Sequence, residues 1–316
     1  MTNSRNNSWL MDVLIVGGGP AGLSALLWCS ELGMSSILIE ASSEFGGQLL
    51  SVYNPIANYL GRETANGRGM LDEFLKQLGD LRSSCVLNSR VQSIDPAKLS
   101  AALSDGRVIT SRAIVLATGV RRRRLNISGE TEFAGRGILE SGAKEKASVA
   151  GKRVAIVGGG DAALENALML SEYAKKVYVI HRRDALTARP EFISFAQNNT
   201  RIEFVLNSVV DQISGDDQLR SILVKDLKTS SAQKVTLDSL LVRIGVEPNS
   251  ELVRGLAELD NRGYVKIDHL CRTSLPGLYA VGDISSPISP TISTAVGAGA
   301  TAAKSIYSLL YKPSHL

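Results

Sequence analysis

The sequence predicts an α/β protein with two Rossmann-like dinucleotide-binding domains, each of the three-layer ββα type. Three observations support this prediction. An apolar strand runs into a glycine-rich turn and an amphipathic helix at 13–32, and the same pattern returns at 154–170. In each copy a second apolar strand follows the helix. Because a GxGxxG turn between a strand and a helix is typical of dinucleotide-binding units, the repeat favours two such domains over one large one.

The first copy contains a complete set of groups for a dinucleotide. Its strand at 13–16 leads into a turn in which Gly17 permits the tight bend. Gly19 lets the backbone approach a pyrophosphate, and Gly22 lets the helix pack closely on the strand. The second strand ends on Glu40. This carboxylate can accept hydrogen bonds from ribose hydroxyls and would repel a 2′-phosphate.

The second copy differs at the end of its second strand. The distance from the first glycine to this strand end is 23 residues in both copies, so His181 takes the place of Glu40. Arg182 and Arg183 follow directly. Guanidinium groups bind phosphate through paired N–H donors, so the second copy is predicted to prefer NADPH over NADH. Its third glycine is replaced by Ala163, which the fingerprint allows.

The chain order predicts that one domain is inserted into the other. The segment Val-Leu-Asn-Ser occurs at 86–89 and again at 205–208, so each βαβ unit carries its own β meander. The strand starting at Leu278 and the Gly282-Asp283 pair belong with the first copy. We therefore expect a discontinuous first domain over 1–118 and 247–316, and a second domain over 119–246. The two adjacent linkers would form a hinge.

Composition and charge restrict the class of protein. The 316 residues are 44% hydrophobic, enough for two cores, and the net charge of +4 is mild. No apolar run approaches the ~18 residues of a membrane span. No nucleic-acid motif, metal-ligand spacing or Ser/His/Asp pattern stands out. We expect a cytoplasmic protein without a bound metal or a nucleic-acid partner, and without a cleaved presequence, since a strand starts soon after a polar tail.

The motifs as a set resemble those of the thioredoxin reductase family of flavoproteins, over nearly the whole chain. The matching segments are GGGPAGL at 17–23, GGQL at 46–49, Asn58-Tyr59-x-Gly61, ATG at 117–119, GGGDAALENAL at 158–168, HRRD at 181–184 and Gly282-Asp283. The resemblance implies FAD in the first domain and NADPH in the second. We also expect a homodimer.

The resemblance implies roles for individual residues. Asn58 would contact the isoalloxazine, and Asp283 would hold the ribityl and phosphate region. The helix starting near Thr291 would direct its N-terminus at the N1–C2 carbonyl edge of the flavin. The residues expected to bind FAD are Gly17, Gly19, Pro20, Ala21, Gly22, Glu40, Gly47, Gln48, Asn58, Val91, Thr118, Gly119, Gly282, Asp283, Thr291 and Ile292. Those expected to bind NADPH are Gly158, Gly160, Asp161, Ala162, His181, Arg182, Arg183, Arg189 and Gly245.

One departure from the family pattern removes its redox disulfide. Counted from Gly135-Arg136-Gly137, the family's CxxC position holds Ser141-Gly142-Ala143-Lys144. A serine and a lysine cannot form a disulfide. The acid after the CxxC corresponds to Glu145, which is the one side chain we consider for a catalytic role in chemistry otherwise centred on the flavin.

Three smaller departures concern the two cofactor sites. Thr187 stands where the family has the later arginine of its HRRxxxR pattern, and Arg189 could substitute for it. Pro290-Thr291 replaces an Arg-Gln pair, and Leu60 replaces the proline of NxPG.

The function predicted is an oxidoreductase in which NADPH reduces FAD and electrons pass directly to an acceptor, either a ferredoxin- or flavodoxin-type carrier or a small molecule. Ferredoxin/flavodoxin–NADP reductases of this type also lack the CxxC, but they carry a longer C-terminal extension that is not evident here. One alternative is a disulfide oxidoreductase using a displaced cysteine among Cys29, Cys85 and Cys271, none of which forms a CxxC. Another is a flavin-binding redox sensor with little turnover.

The run Arg121-Arg122-Arg123-Arg124 is the strongest local charge in the sequence. It is either a solvated face or a docking site for an acidic redox protein.

Overall fold

The computed structural model describes residues 9–285 and 288–312. The chain divides into two compact units. Unit 1 comprises residues 1–121 and 247–316, and unit 2 comprises Arg122–Val246. The strands β7 (Val120–Arg122) and β16 (Val246–Pro248) pair with each other where the chain passes between the units. The second unit thus begins three residues beyond the sequence-predicted boundary at 119.

Unit 1 is built on a parallel sheet with the strand order β3-β2-β1-β6-β17. The central strand β1 is buried on both faces, and Val13, Leu14 and Ile15 are fully inaccessible to solvent. β5 pairs antiparallel with the start of β6, and β4 pairs antiparallel with β5. The strands are β1 Trp9–Val16, β2 Ser36–Ile39, β3 Cys85–Val86, β4 Val91–Asp95, β5 Ser100–Leu103, β6 Val108–Leu116 and β17 Leu278–Ala280.

Two helices of unit 1 pack against each other because small residues line their contact. The helices of this unit are α1 Pro20–Glu31, α2 Gly67–Leu78 and α6 Ile292–Tyr311. A Cβ on Gly299 of α6 would lie 2.3 Å from the carbonyl oxygen of Ala21, so α6 needs a glycine there. The Ser24 hydroxyl donates to the carbonyl of Val296 at 2.7 Å. Short 3-10 helices cover Gly47–Ser51, Gly79–Ser84, Glu251–Val253 and Gly282–Ile284.

Unit 2 repeats this plan with a five-stranded parallel sheet of order β11-β10-β9-β15-β8. Its strands are β8 Ile138–Leu139, β9 Arg153–Val157, β10 Lys176–Ile180, β11 Ile202–Val205 and β15 Ser239–Val242. A separate antiparallel meander contains β12 Ser208–Gly215, β13 Leu219–Asp226 and β14 Ala232–Thr236. The helices are α3 Gly142–Glu145, α4 Asp161–Ser171 and α5 Pro190–Gln197, and a 3-10 helix covers Lys146–Val149.

The prediction of two parallel-sheet dinucleotide-binding folds is confirmed. The repeat extends to backbone detail, because Asn88 and Asn207 in the two matching segments have left-handed φ angles of +54° and +52°. One boundary is wrong: β1 begins at Trp9 rather than Val13. Leu10 and Met11 pair with Thr110 and Ser111 of β6, which extends the strand beyond its apolar run.

In the described ranges, no helix is long and apolar enough to cross a membrane, and no group of acidic, histidine or cysteine side chains could hold a metal ion.

Candidate functional site

A cavity of about 1040 Å³ opens in unit 1 at the carboxyl end of its parallel strands. Ligands of open α/β sheets bind at this edge, and the volume is at the upper end of the range of about 300–1,000 Å³ for small-molecule pockets. The cavity is lined by the glycine turn after β1, the end of β2, the start of β4, the end of β6 and the N-terminus of α6.

The glycine turn after β1 has the geometry that its sequence predicts. Gly17 has φ +111°, and a Cβ there would lie 2.4 Å from the Ala117 carbonyl oxygen. A Cβ on Gly22 would lie 1.9 Å from the carbonyl oxygen of Gly17. A Cβ on Gly19, in contrast, would meet no described protein atom within 4 Å. Gly17 and Gly22 are therefore needed because neighbouring backbone leaves no room for a Cβ, whereas Gly19 leaves open space at the N-terminus of α1.

Glu40 is fixed at the edge of the cavity by two backbone N–H groups. Its Oε2 accepts a hydrogen bond from Gly18 at 2.6 Å, and its Oε1 accepts one from Ser42 at 2.7 Å. Each carboxylate oxygen can accept a further bond, so a ribose can still be bound. The sequence did not reveal that Glu40 also holds the turn in place.

The far side of the cavity is formed by Asp283 and the start of α6. Burial raises the pKa of the Asp283 carboxyl above its usual value. Thr291 caps α6, since its hydroxyl accepts from the Thr294 N–H at 3.2 Å and the Thr294 hydroxyl accepts from the Thr291 N–H at 3.3 Å. This capping box begins the 20-residue helix at Ile292, beside the cavity.

Most residues expected to bind FAD line this cavity, but Gly22 and Asn58 do not. Gly22 is occupied with the packing of α1 against the Gly17 backbone. Asn58 is exposed on the loop between Ile56 and Thr64, which pair in a β-bridge. The residues that line the cavity as expected are Gly17, Gly19, Pro20, Ala21, Glu40, Gly47, Gln48, Val91, Thr118, Gly119, Gly282, Asp283, Thr291 and Ile292.

A polar cluster that was not predicted from the sequence surrounds Arg121 on the cavity wall. This guanidinium forms ion pairs with Glu247 at 2.8 Å and Glu251 at 2.6 Å, and it donates to Asn249 Oδ1 at 2.9 Å. Asn249 in turn donates to the Thr118 carbonyl at 2.7 Å. The only signal in the sequence was the charge run itself, which gave no indication of these partners.

The glycine turn of unit 2 also has a positive φ at its first glycine, but a different side chain lies over it. Gly158 has φ +146°, and a Cβ there would lie 2.2 Å from the carbonyl oxygen of Arg243. A Cβ on Gly159 would lie 2.4 Å from Nδ1 of His181, so the imidazole lies directly on the turn. Burial, with the charges of Arg183 and Arg182, lowers the pKa of His181, and a hydrogen bond involving the Ala185 backbone opposes this shift. Its Nε2 is buried and has no hydrogen-bond partner among the described residues.

The arginines expected to bind the 2′-phosphate differ in their surroundings. Arg182 and Arg183 are exposed next to His181. Arg189 is bound to Asp161 at the start of α4: its backbone N–H donates to Oδ1 at 2.7 Å and its Nε to Oδ2 at 2.9 Å. Its guanidinium also lies 4.4 Å from the centre of the Phe192 ring. The structure thus places Arg189 with Asp161. Gly160 is the N-cap of α4, Ala162 lies in the first turn of that helix, and Gly245 has a left-handed φ of +92° between β15 and β16.

The segment 141–144 contains no thiol, and it comprises Ser141 at the N-cap of the short helix α3 and the first three residues of that helix. Glu145 caps its start, since Oε2 accepts from the N–H groups of Glu140 at 2.7 Å and Ser141 at 2.9 Å. A Cβ on Gly142 would lie 2.1 Å from Oδ1 of Asn166. The position of Glu145 therefore has a structural explanation that needs no catalytic role.

The three cysteines are free thiols in environments that suppress ionisation. Burial raises the pKa of Cys29 to about 12, and those of Cys85 and Cys271 to about 11. Cys29 and Cys271 are buried, and Cys85 is partly buried. Because the thiolate is the reactive form of cysteine, none of these thiols is activated.

Comparison with known proteins identifies the family. The family described as pyridine nucleotide-disulphide oxidoreductase matches residues 11–302. The chain belongs to this family. It is therefore an oxidoreductase of a family that uses FAD and NAD(P)H, and the resemblance read from the motifs is confirmed.

Individual relatives match over nearly their whole length. The thioredoxin reductase of Mycolicibacterium smegmatis is 32% identical over 297 residues, covering 92% of this chain and 94% of the relative. The thioredoxin reductase of Helicobacter pylori is 32% identical over 310 residues, covering 95% and 99%. The crystal structure of Lactococcus lactis thioredoxin reductase in the FR conformation aligns with TM-score 0.79 and 31% identity, over 94% of this chain and 98% of that one. Homodimer formation and a cytoplasmic location stay predictions.

Proposed function

We propose that this protein takes hydride from NADPH and delivers electrons from its FAD directly to an acceptor, without a protein disulfide. The observation that carries this proposal is the thiol-free segment 141–144, in which Ser141 and Lys144 stand at the positions of the family's cysteines. The raised pKa values of all three cysteines support it, because none is suited to replace the missing pair.

The cavity of unit 1 is the proposed FAD site. Its residues fit the group: the open space above Gly19 leaves room for a pyrophosphate, and the fixed carboxylate of Glu40 can accept from a ribose. Burial raises the pKa of Asp283, and its carboxylate oxygens can accept a hydrogen bond from a hydroxyl of the ligand. When bound, FAD supplies hydride acceptance from a nicotinamide and onward transfer of the electrons.

Unit 2 is the proposed NADPH site. The turn at 158–160 and the start of α4 provide backbone N–H groups and a positive helix end for the pyrophosphate. Arg182 and Arg183 are the proposed partners of the 2′-phosphate, since both are exposed beside the covered turn. Arg189 contributes less in this proposal, because Asp161 neutralises it.

The test separates a flavin exit from a cysteine exit. NADPH-dependent reduction of a dye and of thioredoxin would be measured for the wild type and for the triple variant Cys29→Ser, Cys85→Ser, Cys271→Ser. We expect equal dye reduction by both proteins and no reduction of thioredoxin by either. The single variant Cys85→Ser, which changes the least buried thiol, is the control for folding.

Two other outcomes would support the alternatives. Reduction of thioredoxin by the wild type, lost in the triple variant, would establish a disulfide oxidoreductase that uses a displaced cysteine. Failure of NADPH to bleach the flavin under anaerobic conditions would establish a sensor rather than an enzyme.

A further inference from the structure

Two arginines of unit 2 meet at a single backbone carbonyl. Arg122 donates from Nη1 to the carbonyl oxygen of Glu140. Arg243 donates to the same oxygen from Nη2 at 3.2 Å, and its Nη1 donates to the Val242 carbonyl at 2.9 Å. Two positive groups therefore share one acceptor, directly before Ser141.

This arginine pair lies at the ligand-binding edge of the unit 2 sheet. Glu140 follows β8, Arg243 follows β15 and Gly158 follows β9, and these three strands are parallel neighbours in that order. The carboxyl ends of such strands form the edge at which α/β proteins bind their ligands. Two strand spacings, about 10 Å, separate the ends of β8 and β9. The pair is thus close to the glycine turn without being part of it.

The charge of the arginine pair is only partly balanced by nearby carboxylates. Neither guanidinium lies within ion-pair distance of a carboxylate in residues 9–285 and 288–312. Lys144 Nζ and Glu140 Oε2 form an ion pair at 2.6 Å. Glu145 Oε2 accepts hydrogen bonds from two backbone N–H groups. This region thus contains three cationic side chains and two carboxylates; the cations are Arg122, Arg243 and Lys144, and the carboxylates are Glu140 and Glu145. Burial, followed by the charge of Arg122, lowers the pKa of Arg243 to about 10, and the charge of Glu145 opposes this shift. Arg243 therefore stays charged at neutral pH.

The arginine pair also has unused hydrogen-bond donors. A guanidinium carries five N–H donors in a planar fork. Arg122 uses one of them and Arg243 uses two, within the described part of the chain. Paired planar donors and an excess positive charge are what a carboxylate or a phosphate group requires.

The other arginines of the 121–124 run do not share this arrangement. Arg121 is neutralised by Glu247 and Glu251 in unit 1. Arg123 donates from Nε to the carbonyl of Val246 at 2.9 Å. Arg124 is exposed and has no hydrogen bond or ion pair to another described residue. The charge run is therefore four separate features, and Arg124 offers a matched control for Arg122.

We propose that Arg122 and Arg243 bind a carboxylate or phosphate group of the electron acceptor. The proposal rests on the proposed function, since an acceptor that takes electrons directly must dock without a protein disulfide. It defines the acceptor as a small molecule that carries a carboxylate or phosphate group.

The first test is direct binding and needs no turnover. Citrate would be titrated calorimetrically into the oxidised holoenzyme in saturating NADP⁺, so that the dinucleotide occupies its own phosphate sites. The double variant Arg122→Gln, Arg243→Gln should bind citrate at least about tenfold more weakly than the wild type, since it loses charged donors to the anion. Arg124→Gln should bind like the wild type.

Three results would overturn the proposal. Equal citrate affinity in the double variant would show that the pair binds no anion. Equal weakening in Arg124→Gln would show a general charge effect. Loss of citrate binding in NADP⁺, with a raised KM for NADPH in the double variant, would assign the pair to the pyrophosphate of the dinucleotide.

A kinetic test separates this proposal from the proposed function. Ferricyanide is a trianion and 1,4-benzoquinone is neutral, so their kcat/KM values report on charge recognition. We expect the double variant to lose about tenfold on ferricyanide and less than twofold on benzoquinone, with an unchanged rate of flavin bleaching by NADPH. An equal loss on both acceptors would contradict the proposal. A wild type that reduces neither acceptor would contradict the proposed function, and citrate binding would still decide on the anion site.

Discussion

The two glycine turns occupy the same place in their folds and differ in the side chain that covers them. In unit 1 the carboxylate of Glu40 accepts from the N–H of Gly18 at 2.6 Å. In unit 2 the ring of His181 lies over Gly159, so that a Cβ there would be 2.4 Å from its Nδ1. The fold thus fixes where this covering group lies, and the residue type decides the local charge. We infer that an acid selects a free ribose, whereas an imidazole followed by two arginines selects a phosphorylated one.

The largest effect that would sharpen this comparison concerns the third glycine. Gly22→Ala would place a Cβ 1.9 Å from the Gly17 carbonyl, a backbone atom that cannot move away. We expect it to destabilise unit 1 by about 3 kcal/mol and to reduce the content of bound FAD. Urea unfolding and flavin absorbance measure both effects.

The matched change in unit 2 is Ala163→Gly. This position already carries a Cβ, and the substitution should cost only about 1 kcal/mol. If Gly22→Ala and Ala163→Gly lowered the free energy of unfolding equally, the steric difference between the two turns would be contradicted.

The next effect concerns the phosphate of NADPH. Changing both Arg182 and Arg183 to glutamine should raise the KM for NADPH about tenfold or more and leave that for NADH nearly unchanged. Arg189→Gln is the control, because Asp161 already neutralises Arg189 at 2.9 Å, and its effect should be under about threefold. If Arg189→Gln had the greater effect, the phosphate site would lie at the start of α4 instead.

Much of this arrangement could be predicted because its signals are local. The glycine turns, the strand ends at Glu40 and His181 and the missing CxxC are all continuous segments of sequence. The start of β1 could not, because Asp12 interrupts the apolar run and is accommodated by the Ser35 N–H at 2.9 Å and by Arg112 at 2.9 Å. These partners are 23 and 100 residues away.

Two features of the site also depended on distant contacts. The run at 121–124 looked like one basic patch, but its members have partners on different segments, such as Glu251 for Arg121 and Glu140 for Arg122. Asn58 matches the family motif, but its loop places it outside the cavity. Motifs predict which residues are present near a site, whereas side-chain partners depend on tertiary packing.

A smaller effect is expected at Glu40. Glu40→Gln keeps the size of the side chain but removes one acceptor and the charge, so it should weaken FAD binding about tenfold, as expected for the loss of a charge-assisted bond. Titration of the apoprotein with FAD measures this. Glu44→Gln is the control, since Glu44 is an exposed residue paired with Arg68, and FAD affinity should not change. An unchanged affinity in Glu40→Gln would remove Glu40 from the site.

The smallest effect is expected for Asp283→Asn, which should raise the stability of the apoprotein but weaken FAD binding. Burial raises the pKa of Asp283 above 3.8 in the folded protein, so its ionisation opposes folding, with a penalty that grows as the pH rises above 3.8 and is complete above the raised value. Apo Asp283→Asn should therefore have a higher Tm than the apo wild type at pH 7, and the difference should shrink as the pH falls towards 4. FAD should bind the variant several-fold more weakly. A lower Tm at pH 7 would contradict this account.

The number of electrons that the protein takes up tests the central claim most directly. An anaerobic titration of the holoenzyme with dithionite would be followed by flavin absorbance. FAD accepts two electrons, and a redox-active disulfide would accept two more. We expect complete bleaching after two electrons per FAD, because the segment 141–144 holds no thiol and Cys29, Cys85 and Cys271 are free. An end point at four electrons per FAD would show a second redox centre and contradict the direct flavin exit.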